Sequence, residues 1–108
     1  MSLDQAHCVP CRVGAPKLTP DEINNHLTQV TGWIFEPNPD KITKQFAFKD
    51  FKQALVFINA VGAIAEQEGH HPNLYLHHYR QVKVELFTHK IGGLHQNDFI
   101  IAAKIDQI

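Results

Sequence analysis

The chain has 108 residues, of which 44% are apolar and 19% charged, and its formal net charge at pH 7 is −1. This length predicts one domain, and the near balance of ten basic and eleven acidic residues excludes a strongly basic nucleic-acid surface. No apolar run approaches the roughly 20 residues of a membrane span. The first residues also lack the charged start and apolar stretch of a secretory signal, so we expect a cytoplasmic protein without a membrane partner.

Residues 1–17 are predicted to form a loose N-terminal arm, followed by a folded domain over residues 18–108. The arm carries both cysteines of the chain, Cys8 and Cys11, as a CxxC pair. A structural zinc site needs four ligands, and the chain has no second CxxC. Thioredoxin-like chemistry places such a pair after a strand, at the start of a helix. A reduced pair without a function is therefore favoured, and a metal or redox role is the alternative.

The first element of the domain is a helix with a strong start signal. Thr19 and Glu22 form a capping box around Pro20, which suits the first helical position. An apolar stripe follows at helical spacing, made of Ile23, Leu27 and Val30, and Gly32 is predicted to end the helix.

Two strands are predicted next, over residues 33–36 and 41–48, with the turn sequence PNPD between them. The second strand alternates with a period of two residues, which is typical of a half-buried strand. One face carries Ile42, Phe46 and Phe48, and the other carries Thr43 and Gln45.

The clearest element is a helix from Asp50 to Glu68, with Asp50 and Gln53 resembling a capping box and Gly69 in the position of a C-cap glycine. Its inward stripe is predicted to consist of Phe51, Leu55, Ile58, Val61 and Ala65. Further apolar residues widen this stripe beyond what packing on one sheet needs, namely Val56, Phe57 and Ile64. The surplus predicts a second partner for the helix, such as another copy of the chain.

Residues 73–89 predict two strands with a turn at HHYRQ, followed by a flexible loop at IGGL. A last helix is predicted to begin near Asn97 and Asp98, with Ile101 and Ile105 facing inward. The order of elements and the short links between strands predict an α+β fold. In this fold, a four-stranded antiparallel sheet has its helices packed on one face.

Five of the eight histidines lie in a short stretch of the chain, at positions 70, 71, 77, 78 and 89. His70 ends the long helix, His71 precedes a proline and is therefore extended, and His89 ends the last strand. These three imidazoles are predicted to meet at one rim of the sheet, where Glu66 would orient His70 from one helical turn away. His77 and His78 would point to opposite faces of a strand, so both cannot serve one site.

Alternatives for these histidines remain open. A cationic His70 at a helix C-terminus is favourable without any function. A metal site is a rival, but the chain lacks an HExxH pair, and adjacent histidines do not readily chelate one ion. The sequence also lacks a nucleophile motif beside a histidine and a phosphate-binding glycine loop. Proton transfer by imidazole is the interpretation that remains.

At these positions the sequence resembles the pterin-4a-carbinolamine dehydratase family, also called 4a-hydroxytetrahydrobiopterin dehydratases. The resemblance rests on the spacing of five fixed points, which are Glu66, His70-His71-Pro72, Tyr79, His89 and Asp98. The segments GW at 32–33, KQFAFKDF at 44–51 and THKIGGL at 88–94 are also similar to the family. The likeness covers about residues 18–108.

The resemblance implies the same four-stranded fold and assembly into a homodimer or homotetramer. It implies removal of water from a 4a-hydroxytetrahydropterin, giving quinonoid dihydropterin, without a metal or a cofactor. The reaction would recycle the tetrahydrobiopterin used by an aromatic amino acid hydroxylase, which is the pathway partner to expect.

The family pattern also implies roles for particular residues. Proton transfer is expected from His70 and His89, and His71 would mainly hold the pterin. The wider substrate-binding set would be Glu66, His70, His71, Pro72, Thr88, His89, Lys90 and Ile91. Asp98 is explained equally well by stabilisation at the start of the last helix, and Tyr79 is expected to pack rather than line the pocket.

Two other classes of function compete with the enzyme. Some relatives act as dimerisation partners of a transcription factor or help to assemble other proteins, so a protein-binding module is the main alternative. A metal protein that uses Cys8, Cys11 and histidines is the third hypothesis.

Overall fold

A computed structural model describes residues 2–108 of the chain. Its helices are α1 (Pro20–Leu27), α2 (Phe51–Glu68) and α3 (Gln96–Ile105), and its strands are β1 (Ile34–Glu36), β2 (Lys41–Ala47), β3 (Asn73–His77) and β4 (Gln81–Leu86). Two 3₁₀ turns, Leu3–Gln5 and His89–Ile91, complete the elements. The strands form one antiparallel sheet in the order β1-β2-β4-β3, which confirms the predicted α+β class.

The sheet separates an apolar face from a polar face because its side chains alternate along each strand. Val82, Val84 and Leu86 of β4 are fully buried, and Leu86 pairs across the ladder with the buried Ile42. These residues form one core with the inward faces of the helices. The polar partners, such as Lys83 opposite Gln45, lie on the other face.

Helix α1 begins as predicted but ends earlier. The Glu22 amide donates to Thr19 Oγ1 over 3.3 Å and the Thr19 amide donates to Glu22 Oε1 over 2.9 Å, which completes the capping box. The helix ends at Leu27, and the hydroxyl of the C-cap residue Thr28 donates to the Asn25 carbonyl over 2.7 Å. The prediction that it extends towards Gly32 is therefore wrong.

Helix α2 has the predicted bounds but a different inward face. The Gln53 amide donates to the Asp50 carboxylate over 2.8 Å, and Gly69 caps the C-terminus with a left-handed φ of 66°. The buried residues are Ala54, Phe57, Val61 and Ala65, whereas Phe51, Leu55 and Val56 are exposed. The predicted inward positions of Phe51 and Leu55 are therefore wrong. The buried face carries small alanines instead, which let the helix approach its neighbours closely.

The last part of the chain is more ordered than the sequence predicts. The IGGL segment is not a flexible loop, because Thr88 pairs with Gly93 and its amide donates to the Gly93 carbonyl over 2.8 Å. Helix α3 follows and is buried along most of its length, including Phe99, Ile101 and Ile105. Within residues 2–108, no helix is both long enough and apolar enough to cross a membrane.

The N-terminal arm is not loose, contrary to the prediction. Leu3 is buried in the main core, and Lys104 of α3 donates to the Asp4 carbonyl over 2.9 Å. The 3₁₀ turn at Leu3–Gln5 packs on α3, so this segment lies along the helix that closes the domain. Residue 1 lies outside the described residues.

Candidate active site

A cavity of about 480 Å³ opens where the C-terminus of α2, the end of β4 and the start of α3 meet the N-terminal arm. Its volume falls in the range of about 300–1,000 Å³ that is usual for small-molecule sites. The cavity brings the adjacent residues His70 and His71 together with His89, which follows the intervening hairpin, as the sequence predicts. The other lining residues are Cys8, Val9, Pro10, Cys11, Glu68, Gly69, Phe87, Thr88, Lys90 and Asn97.

His70 is held by a carboxylate that is completely buried. Its Nε2 lies 2.6 Å from Asp98 Oδ1, and the side chain of His70 is 12% exposed while that of Asp98 is 0% exposed. Asp98 Oδ2 accepts from the Thr88 hydroxyl over 2.8 Å and from the His95 amide over 3.0 Å. Because Nε2 is used by Asp98, the ring nitrogen that His70 has left for a ligand is Nδ1.

Asp98 is in this place because of the local sequence at the start of α3. His95 is the N-cap residue, and Asp98 accepts its backbone N–H as the third residue of a capping box. The positive end of the helix dipole also favours a carboxylate there. The expected helix-start role of Asp98 is therefore observed, and the same carboxylate additionally orients His70.

Glu66 contacts a different histidine from the one expected. Its Oε2 lies 2.5 Å from Nε2 of His71, not beside His70. The left-handed Gly69 ends α2 at Glu68, so His70 does not continue the helix one turn beyond Glu66. The side chains of His71 and Glu66 are 61% and 79% exposed, so this pair is worth less than about 1 kcal/mol.

His89 lines the cavity from a different element, the 3₁₀ turn after β4. It begins this turn, is exposed, and packs against the ring of Phe87 with 4.2 Å between ring centroids. Thr88 next to it is buried and donates to Asp98. The segment after β4 therefore supplies the imidazole of His89 to the cavity. It also supplies the Thr88 hydroxyl, whose hydrogen bond fixes Asp98, the partner of His70.

The arm provides the remaining wall of the cavity through its two cysteines and the residues between them. Burial, followed by the nearby carboxylates of Glu68 and Asp98, raises the pKa of Cys8 to about 12. Burial also raises the pKa of Cys11, whereas the hydrogen bond from the Cys8 amide lowers the pKa of Glu68. Among residues 2–108, no group of three or more His, Cys, Asp or Glu side chains is placed to hold a metal ion.

Several residues implied by the family pattern lie outside the cavity lining, namely Glu66, Pro72, Ile91 and Tyr79. Tyr79 is 62% exposed in the β3–β4 turn, so its expected packing within the chain is wrong. His77 and His78 also lie away from the cavity. Their Nδ1 atoms are 2.7 Å apart. The expectation of opposite faces fails because His78 belongs to the turn and not to a strand.

Sequence reasoning missed the contribution of the arm and of Glu68, Phe87 and Asn97. One local signal was available for the α3 end of the site, since His95 and Asp98 have the spacing of a capping box. The other contacts join residues 60 to 89 positions apart, and a single sequence carries no local signal for them.

Comparison with known proteins identifies the class. The sequence model of the family "Pterin 4 alpha carbinolamine dehydratase" matches residues 16–108. The chain belongs to this family. A curated relative from Alkaliphilus metalliredigens (strain QYMF), named "Putative pterin-4-alpha-carbinolamine dehydratase", is 42% identical over 106 residues, which cover 98% of this chain and 95% of the relative.

Solved structures show the same fold. A transcriptional coactivator/pterin dehydratase from Brucella melitensis is 34% identical, with a TM-score of 0.79 over 85% of this chain and 97% of that chain. A pterin dehydratase-like protein, identified as a RuBisCO assembly factor in the alpha-carboxysome, is 27% identical. Its TM-score is 0.61 over 70% of this chain and 87% of that chain. Proteins of this fold thus carry names for enzymatic and for assembly roles.

Proposed function

We propose that the chain is a dehydratase that converts 4a-hydroxytetrahydrobiopterin into quinonoid dihydropterin and water. The observation that carries the proposal is the pair of His70 and the buried Asp98, which opens onto a cavity shared with His71 and His89. The Asp98 carboxylate also caps α3, but a protein-binding scaffold does not need an imidazole oriented by that carboxylate at the wall of a cavity. Family membership supports the same conclusion.

The reaction breaks the bond between C4a and its hydroxyl group and removes a proton from the neighbouring N5. The N5 lone pair forms the new C4a=N5 double bond, so no electron leaves the molecule and no redox partner takes part. The hydroxyl accepts a proton as it leaves as water. One proton donor and one proton acceptor near neutrality are what this chemistry requires, and positioned acid–base catalysis contributes roughly 10² to 10⁴ in rate.

His70 suits the role of base. Asp98 accepts the proton on Nε2 of a neutral His70, which leaves the Nδ1 lone pair free to take the N5 proton. The carboxylate then stabilises the imidazolium that forms. His89, which lines the same cavity and is exposed to solvent, would protonate the leaving hydroxyl, and His71 would hold the ring.

The direct test mixes the protein with freshly generated 4a-hydroxytetrahydrobiopterin and follows the quinonoid product by absorbance. The substitutions His70→Ala and His89→Ala should each lower the dehydratase rate at least about 10²-fold, while the fold persists. The matched control is His78→Ala, which removes an exposed histidine of the hairpin turn outside the cavity. A wild-type rate no faster than buffer would exclude the enzyme.

In this proposal the protein acts in the cytoplasm, recycles the tetrahydrobiopterin of an aromatic amino acid hydroxylase, and assembles as a homodimer or homotetramer. Support for association comes from the outward part of α2, where the three large apolar side chains of Phe51, Leu55 and Val56 are exposed. An apolar face of this kind is unusual for a surface helix. Sedimentation of the wild type and of Leu55→Glu would show whether the face joins copies of the chain.

The same face favours a second candidate function, a protein-binding module. Two solved relatives carry names that refer to coactivation and to assembly. Affinity capture that returns one stoichiometric foreign partner, lost in Leu55→Glu, together with no dehydratase rate, would favour this candidate over the enzyme.

A further inference from the structure

The N-terminal arm is fixed to the end of α2 by a buried carboxylate. The Cys8 amide donates to Glu68 Oε1 over 2.8 Å, and His7 Nδ1 lies 3.0 Å from Glu68 Oε2. Lys104 approaches the same oxygen to 3.8 Å. The Glu68 side chain is only 4% exposed, and a carboxylate is stable in that position only when its oxygens are paired.

A buried amide side chain fixes the arm to the start of α3. Asn97 Oδ1 accepts from the Val9 amide over 3.0 Å, and Nδ2 donates to the Val9 carbonyl over 2.6 Å and to Cys11 Sγ over 3.3 Å. The side chain of Asn97 thus uses its acceptor oxygen and its donor nitrogen on the arm. The residue itself is buried. Residues 8–11 are therefore held in one position as part of the cavity wall.

The wall that these residues form is uncharged. Val9 and Pro10 are apolar, and the raised pKa values of Cys8 and Cys11 keep both thiols protonated near neutral pH. The other walls carry the three imidazoles at the exits of α2 and β4, together with Phe87 and Lys90, and Lys90 Nζ donates to the Cys11 carbonyl over 3.2 Å. The side chains of the arm wall are therefore uncharged, in contrast to the walls that carry the imidazoles and Lys90.

The chemistry of a pterin connects these two sides. C6 is bonded to N5, so the C6 substituent leaves the ring next to the edge that reacts. When C4a and N5 face the imidazoles, this substituent lies within the same cavity, whose lining includes residues 8–11. We propose that residues 8–11 are a specificity-determining wall that contacts the C6 substituent, and that Glu68 and Asn97 are positioning residues that hold it.

This inference rests on the proposed dehydratase function and extends it to substrate choice. A dihydroxypropyl group at C6 covers more of Val9 and Pro10 than a methyl group does, so the wild type should favour the longer substituent. The comparison needs only two substrates, the 4a-hydroxytetrahydropterins with dihydroxypropyl or methyl at C6.

Asn97→Ala removes three contacts to the arm without touching a histidine. For the dihydroxypropyl substrate, KM should rise about tenfold while kcat stays within about twofold, because binding is lost and the proton-transfer groups remain. The preference for the dihydroxypropyl substrate, measured as the ratio of the two kcat/KM values, should fall at least fivefold. Asn24→Ala, at an exposed position of α1, is the matched control and should change neither value.

Hydrogen exchange shows independently whether the arm has been released. The amides of Cys8 and Val9 should exchange faster in Asn97→Ala, and faster again in the double variant Glu68→Ala/Asn97→Ala. Unchanged exchange in the double variant overturns the positioning role of both residues. A released arm with an unchanged substrate preference, or a wild type without any preference, overturns the specificity role.

A failure of the dehydratase assay can be told apart from a failure of this inference. If the wild type has no dehydratase rate, the stable 7,8-dihydropterins with the same two C6 groups are titrated by calorimetry. Tighter binding of the dihydroxypropyl compound that weakens in Asn97→Ala supports the wall without the enzyme. Equal dissociation constants for wild type and variant overturn the wall.

Discussion

Replacing Asp98 by asparagine tests the role of the buried carboxylate with little change of shape. In the wild type, Oδ2 accepts from two donors, the Thr88 hydroxyl and the His95 amide. In Asp98→Asn, the oxygen of the new side-chain amide should take this side, which turns the NH₂ group towards Nε2 of His70. Nε2 must then accept a hydrogen bond, so a neutral His70 carries its proton on Nδ1. The nitrogen left for the substrate is no longer a base.

The expected loss of kcat is about 10² to 10⁴, which is the usual contribution of a positioned base or a correctly oriented tautomer. The stability should change by no more than about 2 kcal/mol. Each charge-assisted hydrogen bond that becomes a neutral one lowers the free energy of unfolding by about 1 kcal/mol, whereas removal of a buried charge raises it. Asp98→Ala is less informative, because it leaves the donors of Thr88 and His95 unpaired at about 1–3 kcal/mol each.

The measurements are kcat for 4a-hydroxytetrahydrobiopterin, the urea midpoint, and the ¹⁵N chemical shifts of His70. The shifts should show Nδ1–H in Asp98→Asn and Nε2–H in the wild type at a pH where the ring is neutral. Glu66→Gln provides the contrast. Because Glu66 is an exposed partner of His71, this substitution should lower kcat by less than about tenfold. Activity of Asp98→Asn within a few-fold of wild type, with the tautomer changed, would refute the assignment of His70 as base.

Three further predictions concern the segments around the cavity. A pKa of about 12 in place of 9.0 lowers the thiolate fraction of Cys8 about 10³-fold. Iodoacetamide at pH 8 should therefore alkylate Cys8 far more slowly in the native protein than in the urea-unfolded protein. Equal alkylation rates would contradict the burial of Cys8. The lowered pKa of Glu68 means that its carboxylate stabilises the fold above the usual value of 4.5, and that this stabilisation is lost as the pH falls through the lowered value. Glu68→Gln should therefore lose less stability than wild type between about pH 5 and pH 3 in urea titrations, and an equal loss speaks against the link. Gly69→Ala meets no atom within 4 Å but places a side chain at a φ of 66°, so it should destabilise by about 1 kcal/mol, and an unchanged urea midpoint would be inconsistent with the left-handed cap.

Local signals in the sequence predicted the elements of the fold well. The capping residues Thr19 and Asp50 each begin a helix where expected, because a cap depends on residues only a few positions away. The alternation along β4 likewise identifies the buried face of the sheet, since Val82, Val84 and Leu86 leave no other register that buries all three. These features follow from neighbours in the chain and need no knowledge of the tertiary structure.

The face of α2 could not be predicted in the same way. Apolar residues make up 11 of the 18 residues of α2, so periodicity allows several inward directions. The structure buries the face with Ala54 and Ala65 and leaves Phe51 and Leu55 outside. The choice depends on how closely the helix can approach the sheet and α3, which is a tertiary property.

The candidate site shows the same division between local and tertiary information. His70, His71 and His89 were predicted to meet because each lies at the end of an element, and the cavity contains all three. The partner of His70 was missed because helical spacing applies only within a helix, and α2 ends at Glu68. Asp98 takes that place as part of the α3 cap. One carboxylate therefore stabilises the start of α3 and orients the imidazole, so a substitution that displaces the first turn of α3 should also displace His70.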